Sequence, residues 1–174
     1  MSTLEVKAIQ APTGYDLQMP AGHILQVVYA AGSSSSVAVS PASSGFSDGP
    51  LEISITPTST SNKILVFGQQ ALRFEFTGNN GRGGIRVERK IGSGSYDAIW
   101  NTDNLREMAQ AYDRSSGSKE FSLALPFNVL DTPNTTSALT YKITGGMHND
   151  SGASTMYMWR GTYGSTMTAM EVQG

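Results

Sequence analysis

Two histidines, His23 and His148, are the whole supply of the side chain that most often serves as general base or metal ligand. They lie far apart in the chain, and neither has a second ligand at helical or hairpin spacing. His148, in Gly145-Gly146-Met147-His148-Asn149-Asp150, reads as a turn residue, and His23, beside Gly22 and ahead of a strand, reads the same way. Cysteine is absent, which removes thiolate nucleophiles, thiolate metal sites and disulfides together. Carboxylates are scattered, with no Asp-x-Asp-x-Asp-Gly ladder for calcium. Asp103, Asp113, Asp131 and Asp150 are the acids a fold might bring together, but a glycosidase needs two carboxyls about 5–10 Å apart across a sugar, and no spacing nominates a pair. The expectation is therefore a non-enzymatic protein with no cofactor and no metal.

The run Gly78-Asn79-Asn80-Gly81-Arg82-Gly83-Gly84 has the glycine content of a phosphate loop. It lacks the Lys-Ser/Thr that completes that motif, and it lies between two strand-like segments, so it reads as a hairpin loop. Trp100 and Trp159, with Tyr96, Tyr157 and Tyr163, could stack on sugar faces if exposed. Burial in a core or a subunit interface is the competing reading, and the expected one for a strand-embedded ring such as Trp159.

These residues are positioned by a chain that alternates apolar and polar side chains, as in Leu72-Arg73-Phe74-Glu75-Phe76 and Phe121-Ser122-Leu123-Ala124-Leu125-Pro126-Phe127. Period two means strands with one buried face. Similar runs at 24–29, 51–56, 63–76, 85–91, 96–100, 139–144, 156–163 and 167–172 are separated by Gly-, Asn- and Asp-rich turns such as Gly92-Ser93-Gly94. Without helical crossovers, this pattern predicts an all-β, antiparallel β-sandwich of the jelly-roll kind. Residues 103–112 place Leu105, Met108 and Tyr112 at helical spacing behind Asp103, enough for a helical turn or a loop. Residues 30–50, low in charge and dense in Ser, Ala and Gly, predict a long loop or a poorly paired edge.

Residues 1–23 are set apart by Pro12, Pro20 and a Gly14 turn. They read as an extended N-terminal arm whose apolar residues Leu4, Val6 and Ile9 would anchor it; the alternative is an edge strand of the same domain. The sandwich domain is expected over 24–174. With Lys+Arg 12 against Asp+Glu 14, the net charge is -2, and only 15% of residues are charged. No field draws such a protein to nucleic acid. No run approaches the ~20 apolar residues of a membrane span and the N-terminus lacks the apolar core of a signal peptide, so the expectation is a protein made and used in soluble form, without membrane insertion.

The opening Ser2-Thr3-Leu4-Glu5-Val6-Lys7-Ala8-Ile9-Gln10, with Met19-Pro20-Ala21-Gly22-His23-Ile24-Leu25-Gln26-Val27, resembles openings of structural proteins of tailed bacteriophages, marine ones especially, tail-fibre and head-decoration proteins among them. Ile53-Ser54-Ile55-Thr56-Pro57-Thr58-Ser59-Thr60-Ser61-Asn62-Lys63-Ile64-Leu65-Val66 and Ser165-Thr166-Met167-Thr168-Ala169-Met170-Glu171-Val172 resemble the same group. The last segment also resembles the final strand of trimeric jelly rolls of the complement-head and tumour-necrosis-factor type. The resemblance implies a homotrimeric capsid decoration (cement) protein, made in the host cytoplasm and carried on the virion surface. Its partners would be itself and other virion proteins, such as major capsid or tail proteins. The alternative it implies is a tail or head fibre component that binds host-surface glycans through aromatics such as Trp100, Trp159 and Tyr163. The chain departs from long tail fibres in having no extended repetitive shaft.

Overall fold

The computed structural model describes residues 21–31, 36–40, 45–78, 80–102, 108–115, 117–148, 154–159 and 164–174, with the Trp159 side chain excepted. In these residues the alternation becomes eleven strands: β1 (Ile24–Ala31), β2 (Ser36–Val39), β3 (Ser47–Ile55), β4 (Lys63–Phe76), β5 (Asn80–Ile91), β6 (Tyr96–Trp100), β7 (Ala109–Tyr112), β8 (Lys119–Asp131), β9 (Leu139–Met147), β10 (Ser154–Trp159) and β11 (Thr166–Val172). All pairings are antiparallel. There is no helix among the described residues.

The first sheet is built on β4. One edge of that long strand pairs with β8 from Ile64 opposite Asp131 to Phe76 opposite Lys119. The other edge is shared end to end, with β11 along residues 63–69 and β10 along residues 72–76. Beyond these lie β1, paired with β11, and β2, paired with β10. The second sheet has the order β3-β9-β5, with β6 and β7 sharing the far edge of β5. From β3 onward the chain passes back and forth between the sheets, the winding of a jelly roll.

The sheets close on one apolar layer. Ile64, Val66, Leu72, Phe74, Met156, Met158 and Met167 face Ile85, Val87, Leu139, Ile143 and Met147, all buried. Fully burying side chains of this size stabilises the fold by roughly 1.5–3 kcal/mol each. Glycines in the second sheet make room for the largest of them: a Cβ on Gly83 would stand 2.7 Å from both Met156 Sδ and Phe74 Cε1, and one on Gly81 would stand 2.7 Å from the Phe76 ring. The glycine run is the expected loop only at its start, where Gly78 follows β4. Residues 80–84 belong to β5, and Gly81 and Gly83 are spent on inter-sheet packing.

Two other expectations are decided in the same way. The serine-rich stretch 30–50 is not one long loop: among its described residues are the end of β1, the four-residue strand β2 and the start of β3, each at the edge of a sheet, which is the poorly paired edge of the two readings. Of the expected helical turn, residues 103–107 lie outside the described residues, and 109–112 form β7, paired with β5 from Ala109 opposite Gly83 to Tyr112 opposite Asn80. Tertiary pairing there overrides a weak local preference. Of the N-terminal arm, residues 1–20, with Leu4, Val6 and Ile9, lie outside the described residues; residues 21–23 form an exposed turn into β1.

Candidate functional site: the outer face of the first sheet

Directly paired residues of neighbouring strands point to the same side of a sheet, so the pairings fix what each outer face carries. On the first sheet, one row reads Val27, Met170, Leu65, Leu130, and the next reads Tyr29, Thr168, Phe67, Asn128. Val27 is 53% exposed, Tyr29 64% and Leu130 54%. Here apolar side chains occupy both faces of the strands, which is the pattern of strands covered on both sides.

Further along β4 the same face turns polar. Arg73 ion-pairs with Glu75 beside it on β4 and, at 3.0 Å, with Glu120 on β8. The Tyr157 ring lies 5.5 Å beneath the guanidinium, and the Tyr157 hydroxyl donates to Glu75 at 3.3 Å. Next to this group, small side chains on β4 and β8 leave a trough of about 260 Å³ lined by Ala71, Arg73, Glu120, Ser122 and Ala124.

The outer face of the second sheet is different. Lys142 pairs with Asp48 at 2.5 Å and Glu88 at 3.5 Å, Arg86 pairs with Glu88 and lies over the Phe46 ring, and Lys142 and Lys90 flank the Tyr96 ring at 3.9 and 4.8 Å. Burial first, then the hydrogen bond to Glu52 at 3.0 Å, pushes the Tyr96 hydroxyl up to about 12. These charges pair with one another although Arg86, Glu88 and Lys142 are mostly buried, with only Asp48 well exposed.

The residues singled out for chemistry are dispersed. His23 is in the exposed turn before β1, while His148 sits 3.1 Å from an Arg82 guanidinium nitrogen, at the far end of β9. Asp131 is buried against Arg89 and Tyr141, whereas Asp113 caps an exposed turn by accepting the Ser115 N–H. Asp103 and Asp150 lie outside the described residues. Among the described residues no three His, Asp or Glu side chains are placed to hold a metal ion, and no helix is long and apolar enough to cross a membrane. Trp100 ends β6 opposite Val87 and packs half-buried on the core. The Trp159 backbone pairs with Ser36, its side chain is not described, and Tyr163 lies outside the described residues.

Sequence reasoning did not find Val27, Tyr29, Leu65, Phe67, Leu130 or Met170. A signal was present: Val27-Val28-Tyr29, Ile64-Leu65-Val66-Phe67 and Val129-Leu130 break the alternation by placing apolar residues on both faces.

The three segments that carry the phage resemblance meet at one side chain. Glu171, in the closing segment, accepts hydrogen bonds from Gln26 Nε2 of the opening one at 2.6 Å. From the middle one it accepts the Thr58 N–H at 2.6 Å, the Thr58 hydroxyl at 2.8 Å and Asn62 Nδ2 at 2.6 Å. Burial alone raises the Glu171 pKa; these four donors outweigh it and hold the carboxyl below its ordinary value.

Fold and faces together define a jelly-roll β-sandwich with a charged outer face on one sheet and a divided, partly apolar one on the other. No family model matches the chain, and no curated protein matches it. Among solved structures it is similar to infectious bursal disease virus, Gt strain, with 13% identity over 97% of this chain and 42% of that one, and a TM-score of 0.46. It is also similar to the VP2 subviral particle of infectious bursal disease virus, at 10% identity over 85% of this chain and 37% of that one, with a TM-score of 0.39. T=1 particles derived from infectious bursal virus give 14% identity over 97% and 40% of the two chains, with a TM-score of 0.41. The chain spans about two fifths of the length of these solved structures.

Proposed function

We propose that this is a non-enzymatic structural protein of a virion, a bacteriophage particle by the resemblance of its three segments. It works by associating with its own copies, as a homotrimer that decorates the capsid surface. The observation that carries the reading is the apolar band of Val27, Tyr29, Leu65, Phe67, Leu130 and Met170 on the outer face of the first sheet. Exposed apolar surface of this kind is stabilised by a protein partner. One of the two inner strands of the band is β11, the strand that resembles the last strand of trimeric jelly rolls. Residues 1–23, through Leu4, Val6 and Ile9, would anchor the protein to a neighbour's sheet edge or to the shell.

Light scattering on the purified protein tests the association: a trimer mass is expected, and a stable monomer at high concentration overturns the reading. Deleting residues 1–20 should leave a folded protein that no longer enters particles. Binding to the assembled shell and not to loose subunits raises the shell's stability by mass action. Particles lacking the protein should therefore form, adsorb normally and break at lower temperature. Unchanged thermal stability with lost adsorption would instead make it a fibre component.

A further inference from the structure

The polar half of the first sheet's outer face is not needed for the apolar association. Phe67, at the near end of the apolar band, and Ala71, at the near end of the trough, are four residues apart on β4, roughly 14 Å at ~3.4 Å per residue. We infer that the trough between β4 and β8 binds a single neutral hexose unit of a glycan. The inference rests on the sandwich alone and stands whether or not copies associate.

The trough's shape follows from the sequence of two paired strands. Ala71 lies opposite Ala124, and Arg73 lies opposite Ser122, so three of these four outward positions carry small side chains and the sheet surface is left low there. Its volume of about 260 Å³ falls just under the ~300 Å³ at which sites for drug-sized molecules begin, so one ring fits and an extended oligosaccharide would pass over it. The alanine floor suits the C–H face of a sugar. Glu120, 57% exposed at its side chain, stands at the wall as an acceptor for hydroxyl donors, the Ser122 hydroxyl can donate or accept, and the Arg73 guanidinium, backed by Tyr157, supplies donors. One guanidinium among two carboxylates, Glu75 and Glu120, leaves a net charge of −1 at the site, which favours a neutral sugar over an anionic one.

The test is a titration of the full chain with glucose, galactose or mannose, followed residue by residue in amide NMR spectra, with glucuronate as the anionic probe. At least one neutral hexose should shift residues 71–73 and 120–124 with a millimolar Kd, and glucuronate should not. Ala124→Trp, on an exposed position of an edge strand, should fill the trough and abolish the shifts while the rest of the spectrum stays in place. Glu120→Ala should weaken binding at least about tenfold, the value of a charge-assisted hydrogen bond. Absence of shifts with every hexose at about 50 mM, shifts elsewhere on the surface, indifference to both substitutions or equal binding of glucuronate would each overturn the assignment. A monomeric protein that still binds hexose in the trough would sink the proposed association and leave this site intact.

Discussion

The Tyr141 hydroxyl donates to the Asp131 carboxylate at 2.7 Å across the gap between the sheets, and Arg89 holds the other oxygen of that carboxylate at 2.7 Å. The three residues come from β9, β8 and β5, so one buried carboxylate ties the edge strand of the first sheet to the centre of the second. Burial first, then Asp131, holds the Tyr141 hydroxyl well above the ordinary tyrosine range, so it stays a donor. Asp131→Ala leaves Arg89 without its partner in a mostly buried place and should cost about 3–5 kcal/mol. Tyr141→Phe keeps the ion pair and should cost about 1 kcal/mol. Urea denaturation separates the two, and equal losses would contradict the arrangement.

Glu171 makes stability depend on acid pH. Its folded pKa lies below the ordinary 4.5, so its contribution is fully present above that value and is lost as pH falls from there through the folded value. The melting temperature should fall as pH drops from about 5 to about 3. Glu171→Gln should melt lower at neutral pH, because an amide cannot accept all four donors, and should show a shallower acid decline. Asp113, exposed and held down by Ser115, titrates in the same direction, so the difference between wild type and variant isolates Glu171. Parallel pH curves for the two proteins would refute the role of Glu171.

Tyr96 should titrate near 12 in an ultraviolet pH titration, because burial and Glu52 both oppose the phenolate. Glu52→Gln removes the charge and weakens the acceptor, and should bring the transition down towards the ordinary 10.0. A transition unmoved by that substitution would show that burial acts alone.

Glycine substitutions should rank by what the new methyl group meets. On Gly83 it faces Phe74 and the flexible end of Met156, which can swing aside, so Gly83→Ala should cost about 1–3 kcal/mol. On Gly68 it faces the Thr166 carbonyl, backbone of the paired strand β11, which cannot move without breaking the β4–β11 ladder. Gly68→Ala should cost more. Chemical denaturation of both proteins gives the order, and the reverse order would count against this register.

Val27→Lys together with Leu130→Glu should dissociate the proposed trimer while leaving the monomer's unfolding free energy within about 0.5 kcal/mol, since both side chains already face outward. Light scattering reads the mass and circular dichroism the fold. An undisturbed oligomer would move the interface off this face.

Strand positions were legible because side-chain alternation is a local property. β4 and β6 run where their periodicity places them, at 63–76 and 96–100, and the turn Gly92-Ser93-Gly94 closes with Gly92 at φ +53° and the Gly94 N–H on the Ile91 carbonyl. β2 and β7, four residues each, were not legible, because a strand that short is decided by its neighbour: β10 for one and β5 for the other. The glycines of β5 misled for the same reason. Their role depends on Phe74, Phe76 and Met156 arriving from the opposite sheet.

The candidate surfaces divide along the same line. Composition by itself established a chain without cysteine, nearly without histidine and weakly charged, which leaves little means for thiol or imidazole chemistry. That Val27, Leu65, Leu130 and Met170 form one row, or that Arg73 reaches Glu120, depends on strand register, and register is set when the two sheets close over their core. Glu171 shows the limit most plainly: its donors Gln26, Thr58 and Asn62 lie 145, 113 and 109 residues away. Period and composition act over a few residues, whereas meetings at such separations exist only in the folded sandwich, where burying apolar surface brings distant strands side by side.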